Sequence, residues 1–242
     1  MTGLAAAGDM LVGTPLQTTD WAFVWQNRGY LLQGATITIV LTVASILLGF
    51  LVGFPAGAIE HYGDGPLRSL VRGAGVVLRG TPILVIMIFA YFVLPLDWAF
   101  VLPVGDAFQA AVVALGLRSA AYQSQIFRGA LGSIDAGQLE AARAVGFSRV
   151  GAIWNVAVPQ ALRRSVPGFQ NEFTIVLKDT SIAFAIGLGE LLKRSYDLMV
   201  SQTTAALELF LAISLVYFVL TFTTNRALDI LSTRFAIPGG DD

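Results

Sequence analysis

The run from Leu31 to Ala58 contains no charged side chain, and no other feature constrains this chain as strongly. A helix crosses the hydrocarbon of a bilayer in about 20 apolar residues. Inside that hydrocarbon every backbone amide must be paired within its own helix or within a closed barrel. A run of this length therefore predicts a spanning helix with some tilt. Along it Ser45, Gly49, Gly53 and Gly57 recur every four residues, which places small side chains on one face. Two readings stand: a seam that lets another helix approach closely, or the general abundance of glycine in membrane helices.

The remainder of the sequence fits a membrane protein with a single domain. Of 242 residues, 55% are apolar and 13% charged, and the mean hydropathy is +0.71, outside the range of soluble globules. A net charge of -1, with basic residues scattered between spans, argues against nucleic acid as a partner. The chain has no cysteine, which excludes disulfides, thiolate metal sites and a cysteine nucleophile.

Hydropathy predicts four further spans. The second runs from Leu67 to Leu94 and is interrupted at Arg79-Gly80-Thr81-Pro82. Pro82 lacks a backbone donor, so a short helix is expected before a true span from Ile83. The third lies between Ala107 and Leu131 and carries Arg118, Gln123, Gln125 and Arg128; such residues at membrane depth should face protein or water. The fourth is placed at Phe169 to Leu192 and the fifth at Leu207 to Thr224. The turn Glu60 to Pro66, including the sole histidine, His61, reads as a solvated loop, and Asp97 to Asp106 as an outer connection. Arginines cluster after span one, around the segment between spans three and four, and after span five. By the positive-inside rule these ends are cytoplasmic, with the N-terminus outside and the C-terminus inside; Lys193 and Arg194 violate it mildly. Residues 1–29 read as a retained outer tail that meets the bilayer through Trp21 and Trp25, 30–232 as the membrane domain, and 233–242 as a cytoplasmic tail.

The polar segment 133–160 carries its own helix signals. Asp135 can cap a first helix, with Gln138 completing a capping box; Gly146 suits a left-handed exit; Ser148 can cap a second helix. Within it stand Glu140-Ala141-Ala142, then Gly146 after three residues, and Val156 and Val158-Pro159 after nine more. This spacing resembles the EAA loop of ABC importer permeases, with Val in place of Ile and of Leu. Arg79-Gly80-Thr81-Pro82, Ser119-Ala120-Ala121-Tyr122, Ile126-Phe127-Arg128-Gly129 and Leu177-Lys178-Asp179-Thr180-Ser181 are similar to the polar amino-acid subfamily.

The resemblance implies an all-α membrane protein, a bundle of about five transmembrane helices of the type I ABC importer (MetI-like) kind, in the cell membrane. It implies an ATP-driven permease for polar amino acids, paired with a second copy or a sister permease. Two ATPase subunits would bind ATP and Mg and receive the EAA loop in a groove, and an external binding protein would deliver the amino acid. Glu140 would contact the ATPase, Ala141 and Ala142 would permit close approach, and Gly146 and Pro159 would shape the loop. From the residues alone, Glu140 also suits a pair with Arg143 one turn on.

The candidate translocation path comprises Gln125, Glu172, Lys178, Asp179 and Ser181. Charges here are expensive in hydrocarbon. Lys178 and Asp179 either meet the ammonium and carboxylate of a substrate or form a structural pair, and as adjacent helix positions they point about 100° apart. The family commonly has Glu at position 125; an amide keeps the hydrogen bonds and loses the charge, so Gln125 serves either a substrate or a neighbouring helix.

This chain has no P-loop, because both lysines, Lys178 and Lys193, follow leucine. Any ATP hydrolysis belongs to another subunit. The serine-hydrolase and zinc-protease signatures, Gly-x-Ser-x-Gly and His-Glu-x-x-His, do not occur either, so neither a catalytic nor a metal site is expected. An ion-coupled secondary transporter or channel subunit is the alternative class, although no internal repeat relates the two halves.

Overall fold

The computed structural model describes residues 20–94 and 105–235, the last five as backbone only. Most of the expected outer tail, most of the expected outer connection and the tail beyond 235 lie outside these. Every regular element among the described residues is helical: α1 (Trp21–Gln26), α2 (Arg28–Tyr62), α3 (Gly65–Gly80), α4 (Ile83–Val93), α5 (Asp106–Gly132), α6 (Ala136–Ala144), α7 (Arg149–Ala152), α8 (Val158–Asp179), α9 (Leu191–Ser201) and α10 (Ala206–Phe235). The fold is an all-α bundle, as expected.

Span one is longer than hydropathy suggested. α2 has 35 residues and continues through Pro55, about 50 Å at 1.5 Å per residue. Its last turn includes Glu60, His61 and Tyr62, which the sequence reading placed in a solvated loop. Glu60 is in fact 4% exposed, and the His61 ring stands edge-on to Tyr62 at 4.5 Å. A long helix whose apolar face ends in a buried carboxylate looks like a loop boundary to any hydropathy window.

The glycine seam is real. A methyl group placed on Gly49, Gly53 or Gly57 would stand 2.5 to 2.7 Å from α5, against the Gln123 amide and the carbonyl oxygens of Ala120 and Ser124. α5 therefore lies along α2 at backbone contact, the close approach that small residues permit between membrane helices. α3 and α4 meet at 105°, as the Gly-Thr-Pro interruption predicts. Arg79, at that bend, donates to the Ala121 carbonyl at 2.5 Å.

By length and apolarity, α2 and the stretch Thr203–Ile230 qualify as spans, and α3 with α4 qualifies as one bent span. α5 and α8 carry too many polar groups to be recognised that way, yet they occupy the middle of the bundle. The fourth expected span, Phe169 to Leu192, is corrected at both ends. The α-helical part, α8, is already under way at Val158, tightens to a 3-10 turn over Thr180–Ile186, and stops at Gly187, whose φ is +79°. A new helix, α9, then starts at Leu191, capped by the fully buried Glu190.

Of the two exceptions to the arginine pattern, Arg194 is held at the α2 start and Lys193 within α9. Arg194 stacks on Tyr30 at 4.4 Å and donates to the Tyr30 carbonyl and Gln33, while Lys193 pairs with Asp197. α10 begins beside Asp20, which accepts from Thr204 at 2.6 Å. The far half of α10 reaches α8, where Thr174 donates to Asn225.

Candidate functional site

The segment 133–160 folds as helix, turn, helix. The Asp135 carboxylate accepts from the Gly137 amide at 2.6 Å, and Ser148 Oγ accepts from Gly151 at 3.1 Å, so both caps form. The capping box does not: Gln138 Oε1 accepts from Gln160 Nε2 at 2.6 Å instead of turning back to the helix start. That contact ties the first loop helix to the beginning of α8. The exit from α6 is a Schellman motif, with Gly146 N donating to Arg143 O and Phe147 N to Ala142 O, each at 3.1 Å. Gly146 holds φ +101° there, a conformation that costs a residue with a Cβ but not glycine.

α7 does not end at a loop. It passes through a π turn, Ile153–Ala157, into α8 with helical backbone at each junction. The π turn precedes Pro159, the second residue of α8, whose nitrogen has no hydrogen to give. Helical backbone therefore continues without a break from Arg149 to Asp179, through the π turn and past Pro167.

The base of this unit is anchored. Ile134, Ala157 and Ala161 pack on Phe127 and Leu131 of α5, with Phe54, Leu139 and Phe169 around them. Arg149 donates to the Tyr62 carbonyl at 3.3 Å, and Arg164 donates to Ser133. Its far side is open. Glu140 and Ala141 are exposed, Ala142 is buried, and Glu140 forms no ion pair with Arg143 within 4.0 Å. Around them stand Val145, 77% exposed, Val150, 64%, and Trp154, 58%, together with Phe147. These exposed apolar side chains have no cover within the described residues of this chain.

The other candidate residues lie deeper. Glu172 and Asp179, seven apart on α8, share the face toward α5. Glu172 is buried and hydrogen-bonded to Ser119, and Asp179 meets Arg118 Nη1 at 2.5 Å. Lys178, one position earlier, is exposed, as the angular offset of neighbouring helix positions requires. The structural pair considered for Lys178 and Asp179 does not form; the partner of Asp179 comes from α5. Ser181 is half-buried in the 3-10 turn, its hydroxyl donating to the Lys178 carbonyl.

Gln125 joins a separate cluster in the C-terminal third of α5. Its Nε2 donates to Glu60 at 2.9 Å, and its Oε1 accepts from Arg128 at 2.7 and 3.2 Å. Ser124 donates to the other Glu60 oxygen. The negative charge missing from position 125 is thus provided by Glu60, 3.8 Å from Arg128. Sequence reasoning passed over Glu60, Arg118 and Glu190 as site members. The available signal was an ionisable residue at membrane depth with no partner in its own helix. Among the described residues no cluster of metal-ligating side chains occurs.

Comparison with known proteins agrees with this architecture. Residues 45–237 match the family described as binding-protein-dependent transport system inner membrane component. The chain is 35% identical over 218 residues, 90% of its length and 98% of the relative's, to the glutamine transport system permease protein GlnP of Escherichia coli K12. It is 34% identical over 221 residues, 88% of each chain, to the octopine transport system permease protein OccM of Rhizobium radiobacter. A crystal structure of an amino acid ABC transporter with histidines superimposes with a TM-score of 0.77 at 30% identity, covering 90% of this chain and 99% of that one. An inward-facing structure of the MetNI methionine ABC transporter shares the fold at a TM-score of 0.71 and 21% identity, over 87% of this chain and 98% of that one. The chain belongs to the family of inner-membrane components of binding-protein-dependent transport systems.

Proposed function

We propose that this chain is the path-forming subunit of an ATP-driven importer of polar amino acids. Its relatives are permeases of glutamine and octopine systems, and its polar residues at membrane depth suit a small zwitterionic solute. The observation that carries the reading is the unbroken helical run from Arg149 to Asp179. One end stands on an exposed apolar platform and the other carries a charge into the bundle, so a displacement imposed on the platform is delivered to the charge.

In this reading Glu140, Ala141, Ala142, Gly146 and Pro159 form or shape the seat of a separate ATPase, which binds ATP and Mg. Two ATPases sit under two permease chains, identical or sister, with a binding protein on the outer face. The N-terminus is external and the C-terminus cytoplasmic. Gln125, Glu172, Lys178, Asp179 and Ser181 line or support the path. Lys178 is the clearest case, because a charge exposed on a span is costly against lipid and calls for water or a second chain.

Uptake of amino acids by cells expressing the full system tests the reading. Depleting ATP should stop uptake and an uncoupler alone should not, and an ATPase should copurify with the chain. Uptake that survives ATP depletion and collapses with the uncoupler would make the chain an ion-coupled transporter instead.

A further inference from the structure

Arg118 has no role in the scheme above. It is the thirteenth residue of the 27-residue α5, about 20 Å of helix from either end, hence near the middle of the bilayer. The guanidinium meets Asp179 of α8 through Nη1 at 2.5 Å and lies over the Tyr122 ring, 5.3 Å from its centre. The side chains of Arg118 and Asp179 are 23% and 24% exposed. An accessible ion pair at this depth does not face hydrocarbon, where each charge costs several kcal/mol. It faces water or another chain.

Two details separate this pair from a helix clamp. Arg118 Nε is buried and has no hydrogen-bond partner, whereas a guanidinium serving only to join two helices is expected to have its five donors engaged. The half-buried residues Arg118, Tyr122 and Gln125 are also spaced four and three apart, so they form one stripe on α5. Asp179 completes that stripe at the point where α8 tightens into its 3-10 turn.

We propose that Arg118 determines specificity in the path by receiving the carboxylate of the transported amino acid. The unliganded pair is a closed latch. The incoming carboxylate takes Arg118, using donors that Asp179 leaves free, and the ammonium takes Asp179. Net charge in the site is conserved, and the bidentate geometry of guanidinium with carboxylate favours solutes with a free carboxylate. The inference rests on the permease reading and adds to it the group that selects the head of the solute.

The test uses the complete permease–ATPase complex in proteoliposomes with its binding protein and twenty radiolabelled amino acids as probes. A wild-type complex that imports none of them on ATP overturns the permease reading and this inference together. If it does import, the double variant Arg118→Met with Asp179→Leu decides. A structural pair replaced by apolar residues of similar volume keeps both assembly and transport, and wild-type uptake by the variant would overturn the proposal. The expected result is an assembled complex with uptake at least tenfold lower. Should that variant fail to assemble, Arg118→Lys keeps the charge and removes the fork. A tenfold loss in the assembled complex then supports the assignment, and unchanged uptake refutes it.

Discussion

Gln125 Nε2 donates to Glu60 Oε2 at 2.9 Å while its carbonyl accepts from Arg128, so one amide joins a carboxylate on α2 to a guanidinium on its own helix. The order of charges has a consequence. Gln125→Glu alone places two carboxylates in contact beside one arginine and should destabilise the chain. Glu60→Gln alone removes the only anion and should also destabilise it. The double exchange restores one acid, one amide and one arginine in the same space. Thermal melts of the four forms should give a coupling of about 1–3 kcal/mol favouring the exchanged pair, and additive losses would show that the contact is not energetically coupled.

Gly146 is the position where the loop is least tolerant. At φ +101° a residue with a Cβ costs roughly 1–2 kcal/mol, more if β-branched, although nothing lies within 4 Å of an added Cβ. Gly146→Val should therefore lower the melting temperature of the bundle by only a few degrees and misdirect the Schellman turn. The expected signature is weakened ATPase copurification and substrate-stimulated ATP hydrolysis reduced about fivefold or more. Normal stimulation in a well-folded variant would remove the docking role.

The glycine seam offers a contrast within one chain. A methyl on Gly53 meets the Ala120 carbonyl oxygen at 2.6 Å, whereas one on the helical Gly73 meets nothing within 4 Å. Gly53→Ala should push α2 from α5 at a cost of about 1–3 kcal/mol. Gly73→Ala should be neutral or slightly stabilising, because alanine is the better helix former. Melting curves of the two purified variants give the comparison directly, and equal behaviour would mean that the seam yields without cost.

How much of this was legible in the sequence depends on where each signal is local. Caps, the left-handed exit and the bend at Pro82 depend on a few adjacent residues, and Asp135, Ser148 and Gly146 behave as their chemistry requires. The glycine spacing was legible as a face; its partner was not, because nothing in α2 names α5. Gln138 misled because a capping box and an inter-helix amide contact require the same residue, and proximity to Gln160 decided between them. The fourth span failed for a different reason. Its polar residues are satisfied by α5, as Asp179 is by Arg118, so hydropathy understated how far the helix extends toward the loop, and the break at Gly187 lies inside an apolar stretch. Glu60 and Glu190 were missed because their partners are distant in sequence or on the following backbone, and a window average assigns such carboxylates to loops.

Orientation is the remaining point on which the docking proposal depends. Asp20 and Thr204 are hydrogen-bonded, so the start of α10 lies on the same side as the start of α2, and α6 lies at the opposite end of the bundle beyond α5. The arginine distribution predicts a cytoplasmic α6 end. Because the chain has no cysteine, single cysteines report without background. Thr203 and Ala144 suit the purpose, being exposed and outside the contacts that hold the bundle. An impermeant maleimide added to intact cells should label Thr203→Cys and leave Ala144→Cys untouched until the membrane is opened. The reverse pattern would put the Glu140 platform outside the cell, where no ATPase can reach it. The proposed coupling would then fail even though the fold stood.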